Sequence, residues 1–349
     1  MPFAAALENY VEGPLLGRLA GDNYREMNGL SKDSVNWLVV GEDAAGQRVD
    51  NYLFKVMKGV PKSHVYRILR SGEVRVNKCR VGPDARLAEG DHLRVPPVRA
   101  AQPSTGRTAS PPAGIPVPTI LFEDDSLLAL DKPSGLAVHG GSGISFGVIE
   151  RLRLARPEAK FLELVHRLDR DTSGVLLIAK KRSALTGLHA QLREGETEKR
   201  YFVLVRGAWR DAVRAVDLAL ETFVSGGGER RVRVDRAGRS SRTVFRLLRR
   251  WPLADPPMAM LDAELETGRT HQIRVHLTHI GYPLAGDDKY GDFAWNRELA
   301  ARGLKRMFLH AHRFGFRHPL TDAAMVIESP LPQDLARFVA TLDGSAADA

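Results

Sequence analysis

The sequence predicts an α+β protein of two domains, and three observations carry that prediction. Its 349 residues exceed what one hydrophobic core usually serves. Residues 98–117 hold Pro103, Pro111, Pro112 and Pro116 among Ser, Thr, Ala and Gly, a composition that favours extended, solvated chain. On either side, helix and strand patterns follow one another without the regular alternation of a parallel α/β sheet.

Residues 1–36 show no sustained period and form an arm to which no structure is assigned. Residues 37–97 make a small module. From Asp50 to Met57 the apolar residues Tyr52, Leu53, Val56 and Met57 recur at helical spacing, and Gly59 ends the run. Pro61 and Ser63 open a second helix with Val65, Ile68 and Leu69 on its apolar face, and Gly72 closes it. Glu73 to Asn77 alternates as a strand, and after the Gly90-Asp91 turn His92 to Val95 reads as its partner.

The larger domain spans 118–342. Ile120 to Phe122 and Leu127 to Leu130 flank Asp124-Asp125-Ser126, a hairpin signal. Gly174 to Ala179, Tyr201 to Val205, Met258 to Leu265, Phe308 to Phe316 and Met325 to Ile327 read as strands. Ala184 to Arg193, Thr270 to Ile280 and Leu335 to Leu342 read as helices. Residues 343–349 form a flexible tail with nothing to pack.

Composition narrows the function classes. A 43% hydrophobic content and 27% charged residues describe a soluble globular chain. Cys79 is the single cysteine, which excludes an internal disulfide and every multi-cysteine zinc site. The first residues lack the basic flank and apolar run of a secretory signal. The longest uncharged stretch, Pro133 to Ile149, is too rich in Gly and Ser to cross a bilayer. A cytoplasmic protein with no membrane partner is expected.

Lys and Arg number 51 against 42 Asp and Glu, a net +9. The excess is local. Arg48 to Arg80 holds nine basic and two acidic residues, and Arg230 to Arg250 nine arginines and one aspartate. Concentrated positive charge points to a polyanion such as RNA. In the first stretch Lys62, Arg67 and Arg70 share the polar side of the second helix, with Tyr66 beside them to stack on a base. Arg75, Lys78 and Arg80 follow on the strand region. The second stretch alternates at Arg230 to Val234, which suits a solvated strand face as well as an RNA contact.

His166-Arg167-Leu168-Asp169-Arg170-Asp171-Thr172-Ser173-Gly174 is the densest polar cluster, set between apolar Phe161 to Val165 and Val175 to Ala179. A polar loop anchored by buried elements is where active sites collect. Flanking arginines at 167 and 170 favour a charged Asp169, as a nucleophile or base requires; a capping turn with solvated arginines is the plain structural alternative. Gly143-Ile144-Ser145-Phe146-Gly147 fits the G-x-S-x-G of hydrolases but lacks the buried strand that motif needs before it. His271 and His276 are five apart, on different helix faces, so no metal site is expected.

The nine-residue cluster resembles the central motif of the RluA-type pseudouridine synthases. Further segments match that family in order: Asp131 to His139, Lys199 to Gly207, Thr267 to Leu277, and Leu309-His310-Ala311 with His318-Pro319. The likeness covers roughly 118–340. Residues 37–97 resemble the S4 RNA-binding domain through Arg48-Val49-Asp50, Arg67 to Gly72 and Val74 to Asn77. Gly59 to Ser63 and Val138 to Gly143 are most similar to the members that modify 23S ribosomal RNA of the large subunit.

The resemblance implies a pseudouridine synthase fold with a mixed, largely antiparallel sheet, and an isomerase needing no cofactor. Its partner would be 23S ribosomal RNA or a large-subunit assembly intermediate, and a monomer would suffice. By similarity Asp169 is the carboxylate at the ribose; attack on the sugar and removal of a ribose proton both stay open to it. Arg274 pairs with that aspartate, and Tyr201 stacks on the uracil and assists loss of the C5 proton. Leu309 packs beneath the site, and Arg167, Arg269 and His271 bind the substrate, Arg167 supporting the flipped strand. A sibling enzyme acting on other ribosomal or transfer RNA uridines and a non-catalytic RNA-binding assembly factor are the competing readings.

Overall fold

The computed structural model describes residues 30–31, 34–57, 60, 62–97, 118–140, 146–225 and 229–347. They fall into two compact units that divide between Gly106 and Arg107. The expected linker 98–117, almost all of the arm 1–36, and Gly59, Pro61 and Gly143 to Ser145 lie outside the described residues.

The first unit begins with β1 (Asn36–Val39), α1 (Val49–Val56) and α2 (Lys62–Arg70), and continues with β2 (Arg75–Val76), β3 (Cys79–Arg80) and β4 (His92–Val95). The strands form one antiparallel sheet in the order β1-β4-β2-β3. Leu53, Val65, Ile68 and Leu69 from the helices meet Leu93 and Val95 from the sheet in a closed core. The strand expected over Glu73 to Asn77 is only two residues long. Asn77 and Lys78 both take positive φ, 48° and 70°, and turn the chain back into β3.

The second unit is built on a ten-stranded sheet. It contains β5 (Thr119–Glu123), β6 (Leu127–Lys132), α3 (Val148–Ala155), β7 (Glu163–Leu164), β8 (Ser173–Ala179), α4 (Arg182–Glu194) and β9 (Glu198–Arg206). Next come β10 (Val213–Asp217), β11 (Leu220–Val224), β12 (Arg230–Val234), β13 (Arg242–Trp251), β14 (Met258–Leu265) and α5 (Gln272–His279). The chain ends with α6 (Phe293–Ala301), β15 (Leu309–Arg317), β16 (Ala324–Glu328) and α7 (Gln333–Ala347). The main strand order is β10-β13-β14-β9-β15-β8-β6-β5, and β11 and β12 stand apart as a hairpin. Only the β15–β8 neighbours run parallel, so the sheet is mixed and largely antiparallel.

Two features place the site. On one face Tyr201 and Val203 of β9 pair in register with Ala311 and Leu309 of β15, and these four join the main core with Leu168 and Ile273. Where β8 meets β15, Gly174 has φ +112°, and a Cβ there would sit 2.2 Å from the Ala311 carbonyl oxygen. Only glycine permits that approach, which brings the polar loop before β8 against the strand carrying Leu309.

The tail expected at 343–349 is corrected in part. Helix α7 continues to Ala347, and the Asp343 carboxylate accepts from the Trp251 indole (2.8 Å) and the Arg249 guanidinium (2.7 Å). A cation–indole pair within reach gives this end of the helix something to hold.

Candidate active site

The loop between β7 and β8 delivers Asp169. Its neighbours in sequence do not serve it as expected. Arg170 turns to Asp171 instead (3.1 Å), and Arg167 is exposed beside two cavities. The basic groups nearest Asp169 come from another part of the chain: the Arg274 guanidinium of α5, with Nη1 3.4 Å from Oδ2, and the His271 imidazole just before α5, with Nε2 at 3.7 Å. The expected Asp169–Arg274 pair is present, but it is the lesser of Arg274's bonds.

Arg274 is committed first to Asp287. Its Nε and Nη2 donate to the two oxygens of that fully buried carboxylate at 2.7 and 2.6 Å. Burial alone would raise the Asp287 carboxyl; the guanidinium and the backbone N–H groups of Lys289 and Tyr290 outweigh it and hold the carboxyl low. The forked geometry fixes the guanidinium plane and leaves Nη1 aimed at Asp169. Sequence reading missed Asp287, whose available signal was an aspartate run after glycine at Gly286-Asp287-Asp288.

His271 has φ 53°, just before α5, and its Nδ1 lies 2.8 Å from the Tyr290 hydroxyl. That hydroxyl accepts from the Val232 N–H of the β11–β12 hairpin, while the Arg274 guanidinium lies over the Tyr290 ring at 5.1 Å. Burial lowers the His271 imidazole, against the pull of Asp169. Arg269, at the start of this segment, donates to the Ser240 carbonyl (3.2 Å) and remains exposed at the cavity rim.

Asp169 stands between two cavities. One, about 420 Å³, is lined by apolar Leu168, Tyr201, Leu265, Ile273 and Leu309 and by polar residues that include Lys199, Arg269, His271 and Gln272. The other, about 520 Å³, is polar, and its lining includes His139, Arg170, Arg231 and Lys289. Arg167, Asp169, His271 and Arg274 border both. Tyr201 is buried, and its hydroxyl is pushed up by that burial and then by the Asp169 charge, so it stays a phenol. Tyr201, on β9, is thus part of the cavity wall.

The loop is pinned from behind. Lys132, fully buried at the end of β6, donates to the carbonyls of Pro133, Leu136 and Arg170 at 2.9, 2.8 and 3.0 Å. Ser134 Oγ donates to the Asp171 carbonyl at 2.7 Å. His166 Nε2 accepts from the Leu177 N–H (3.1 Å), and burial pushes its imidazole down to about 4. The first residue of the cluster thus ties the loop to β8.

The expected RNA-binding residues lie in the first unit. Arg67 and Arg70 are exposed on α2; Arg75, Lys78 and Arg80 are exposed on the β2–β3 hairpin; the Lys62 side chain lies outside the described residues. Tyr66 is less available than expected, since its ring meets Phe54 edge-on at 5.8 Å and its hydroxyl points to Asp50 (3.4 Å). In the second basic stretch carboxylates absorb much of the charge. Arg231 pairs with Glu229, Arg233 with Glu221, Arg242 with Asp217 and Glu266, Arg246 with Glu264, and Arg249 with Asp343.

Residues 126–279 match the RNA pseudouridylate synthase family, and residues 47–93 match the S4 domain. The chain is 51% identical to the ribosomal large subunit pseudouridine synthase C of Salmonella typhi over 318 residues, 90% of this chain and 98% of that protein. It is 48% identical to the protein of the same name from Pasteurella multocida over 322 residues, 92% of this chain and 98% of that one. In fold it resembles human RNA pseudouridylate synthase domain containing 4, with a TM-score of 0.51 at 23% identity over 64% of this chain and 92% of the human chain. Identity near one half across almost the full length of both partners leaves no room for a shared fold alone: the chain belongs to the RNA pseudouridylate synthase family and carries an S4 domain.

Proposed function

We propose that the chain isomerises uridines of the large-subunit 23S ribosomal RNA, free or in an assembly intermediate, with Asp169 as the reacting carboxylate. The observation that carries the reading is the position of Asp169 at the seam between a slot with one apolar wall, Leu168, Tyr201, Leu265, Ile273 and Leu309, and a polar cavity. A flipped uracil fits the slot, flat against Tyr201 and Leu309, and the ribose and its phosphates fit the polar side near Arg167. The scissile glycosidic bond then crosses the carboxylate.

The chemistry balances without a redox partner or group donor. The N1–C1′ bond breaks, the uracil turns, C5 bonds to C1′, the C5 proton leaves and N1 takes one up. Asp169 serves the first step either by bonding to C1′, in an ester that breaks as C5 adds there, or by removing a ribose proton that returns to the sugar as C5 adds, and both routes need its oxygen on the sugar side of the slot. Arg274, locked by Asp287, offers a fixed cation to that oxygen. Tyr201, held as a phenol, gives a face to the ring and relays the C5 proton rather than acting as a standing base. The relatives' names support large-subunit ribosomal RNA as the substrate, as does the positively charged S4 unit.

The test is a map of pseudouridines in ribosomal RNA from cells lacking the protein, with and without the wild-type chain restored. Sites in 23S ribosomal RNA that vanish and return are expected. An unchanged 23S map would overturn the substrate assignment, and sites lost from transfer RNA instead would move it to a sibling activity.

A further inference from the structure

The sheet of the S4 unit has an outer face that the helices do not cover. Its strand register sets Trp37 of β1 opposite Arg94 of β4, Arg94 opposite Arg75 of β2, and Arg75 opposite Arg80 of β3. Directly paired residues share a face, so these four side chains form one row across four strands, roughly 14 Å long at the usual strand spacing. The alternate residues Leu38, Leu93 and Val76 turn into the core. Trp37 is 59% exposed and Val39, two residues on, 60%. The chain's other tryptophans, at 209, 251 and 295, are buried.

The three arginines are held in place by neutral groups. Arg80 Nη2 donates to the Ser71 carbonyl (3.1 Å), Arg75 Nε to that of Gly72 (3.3 Å) and Arg94 Nη1 to that of Glu73 (2.6 Å). Three consecutive carbonyls just past α2 thus take one guanidinium each. Gly72 has φ +74°, and the space a Cβ would fill there is occupied by the Arg80 guanidinium. Glu73's carboxylate is spent on Ser71 Oγ (2.6 Å) and Arg67 (3.7 Å). Among the described residues no carboxylate lies within ion-pair distance of the row. The arginine-rich stretch at 230–250 is the opposite case, its cations largely matched by carboxylates.

We infer that this face of the S4 unit docks an unpaired segment of the RNA substrate, with a base stacked on Trp37 and phosphates on Arg94, Arg75 and Arg80. Guanidiniums fixed by carbonyls keep their full charge and most of their donors, and they lose little freedom when a phosphate arrives. A tryptophan exposed at the end of such a row supplies the stacking surface that unpaired bases seek and a duplex hides. The inference rests on the reading that the S4 unit binds RNA, and it moves the contact from the α2 face, where Tyr66 is engaged, to the sheet.

Titration of the full chain with a short single-stranded oligouridylate, and with a duplex of the same length, tests it through tryptophan fluorescence. The single strand should quench the exposed Trp37 and the duplex should not. Trp37→Ala, which removes no bond to a carbonyl, should abolish the quench and weaken binding roughly five- to hundredfold. Replacing Arg75, Arg80 and Arg94 by Gln should flatten the slope of log affinity against log salt by about 2. An unquenched Trp37 with unchanged affinity in both variants overturns the inference. If Arg67→Gln with Arg70→Gln weakens binding while the sheet variants do not, the RNA lies on α2 and the S4 reading survives. If neither set matters, the S4 reading falls as well.

Discussion

At the scale of single residues the site turns on which carboxylate owns which arginine. Arg274 is buried and forked onto Asp287, and the weaker bond to Asp169 is what remains of its donors. A buried guanidinium that loses its counter-ion is costly, about 3–5 kcal/mol when one partner of such a pair is removed. Asp287→Asn should therefore lower stability by that order and slow turnover further, because Arg274 loses its fixed plane; chemical denaturation and single-turnover rates measure the two effects. Wild-type stability in the variant would show that the fork does not hold the site. Asp169, Tyr201 and Arg274, which border one cavity, could be grouped from the sequence because short motifs carry them. Asp287 could not, since its meaning comes from a partner thirteen residues earlier across an irregular turn. Arg170 was misassigned for another reason: it lies between two aspartates, and the fold turns it to Asp171 rather than to Asp169.

At the scale of elements, buried histidines join the pieces that carry the site. His276 ties α5 to the start of β13 through Ser241 Oγ (2.9 Å) and Thr243 Oγ1 (3.0 Å). His310 ties β15 to β8 through Ser173 Oγ (2.9 Å) and reaches the Ser329 carbonyl (3.1 Å). Both are fully buried, and burial pushes each imidazole down to about 4. The unfolded ring titrates near 6.5, so between there and about 4 the unfolded chain takes up the proton first. Stability is whole above about pH 6.5 and falls as pH drops, by about 1.4 kcal/mol per unit for each ring, levelling off below about 4. Denaturant midpoints measured from neutral pH down to about 4.5 should show that decline, and a flat profile would mean the two joints are not closed as described. Element types were readable from apolar periodicity in α1, α2, α4 and β8. The two-residue β2 was not, because Val74 is buried by the helices and so imitates a strand position.

At the scale of the molecule, charge counted along the sequence and charge left over after folding are different quantities. The two basic stretches looked alike, nine basic residues each. Folding pairs the second with carboxylates that are distant in sequence, such as Glu264 and Asp343, and leaves Arg75, Arg80 and Arg94 of the S4 unit leaning on carbonyls. Sequence alone located the S4 unit but not the surface it presents, because strand register is what aligns Trp37 with the arginines. The account as a whole stands on Asp169 as the group that reacts with the ribose. Its most direct test is tritium release from large-subunit ribosomal RNA transcripts labelled at uracil C5, with wild-type chain and Asp169→Asn compared at equal RNA occupancy. The account predicts release by the wild type and none by the variant, which still binds the RNA; release by Asp169→Asn at the wild-type rate would contradict it.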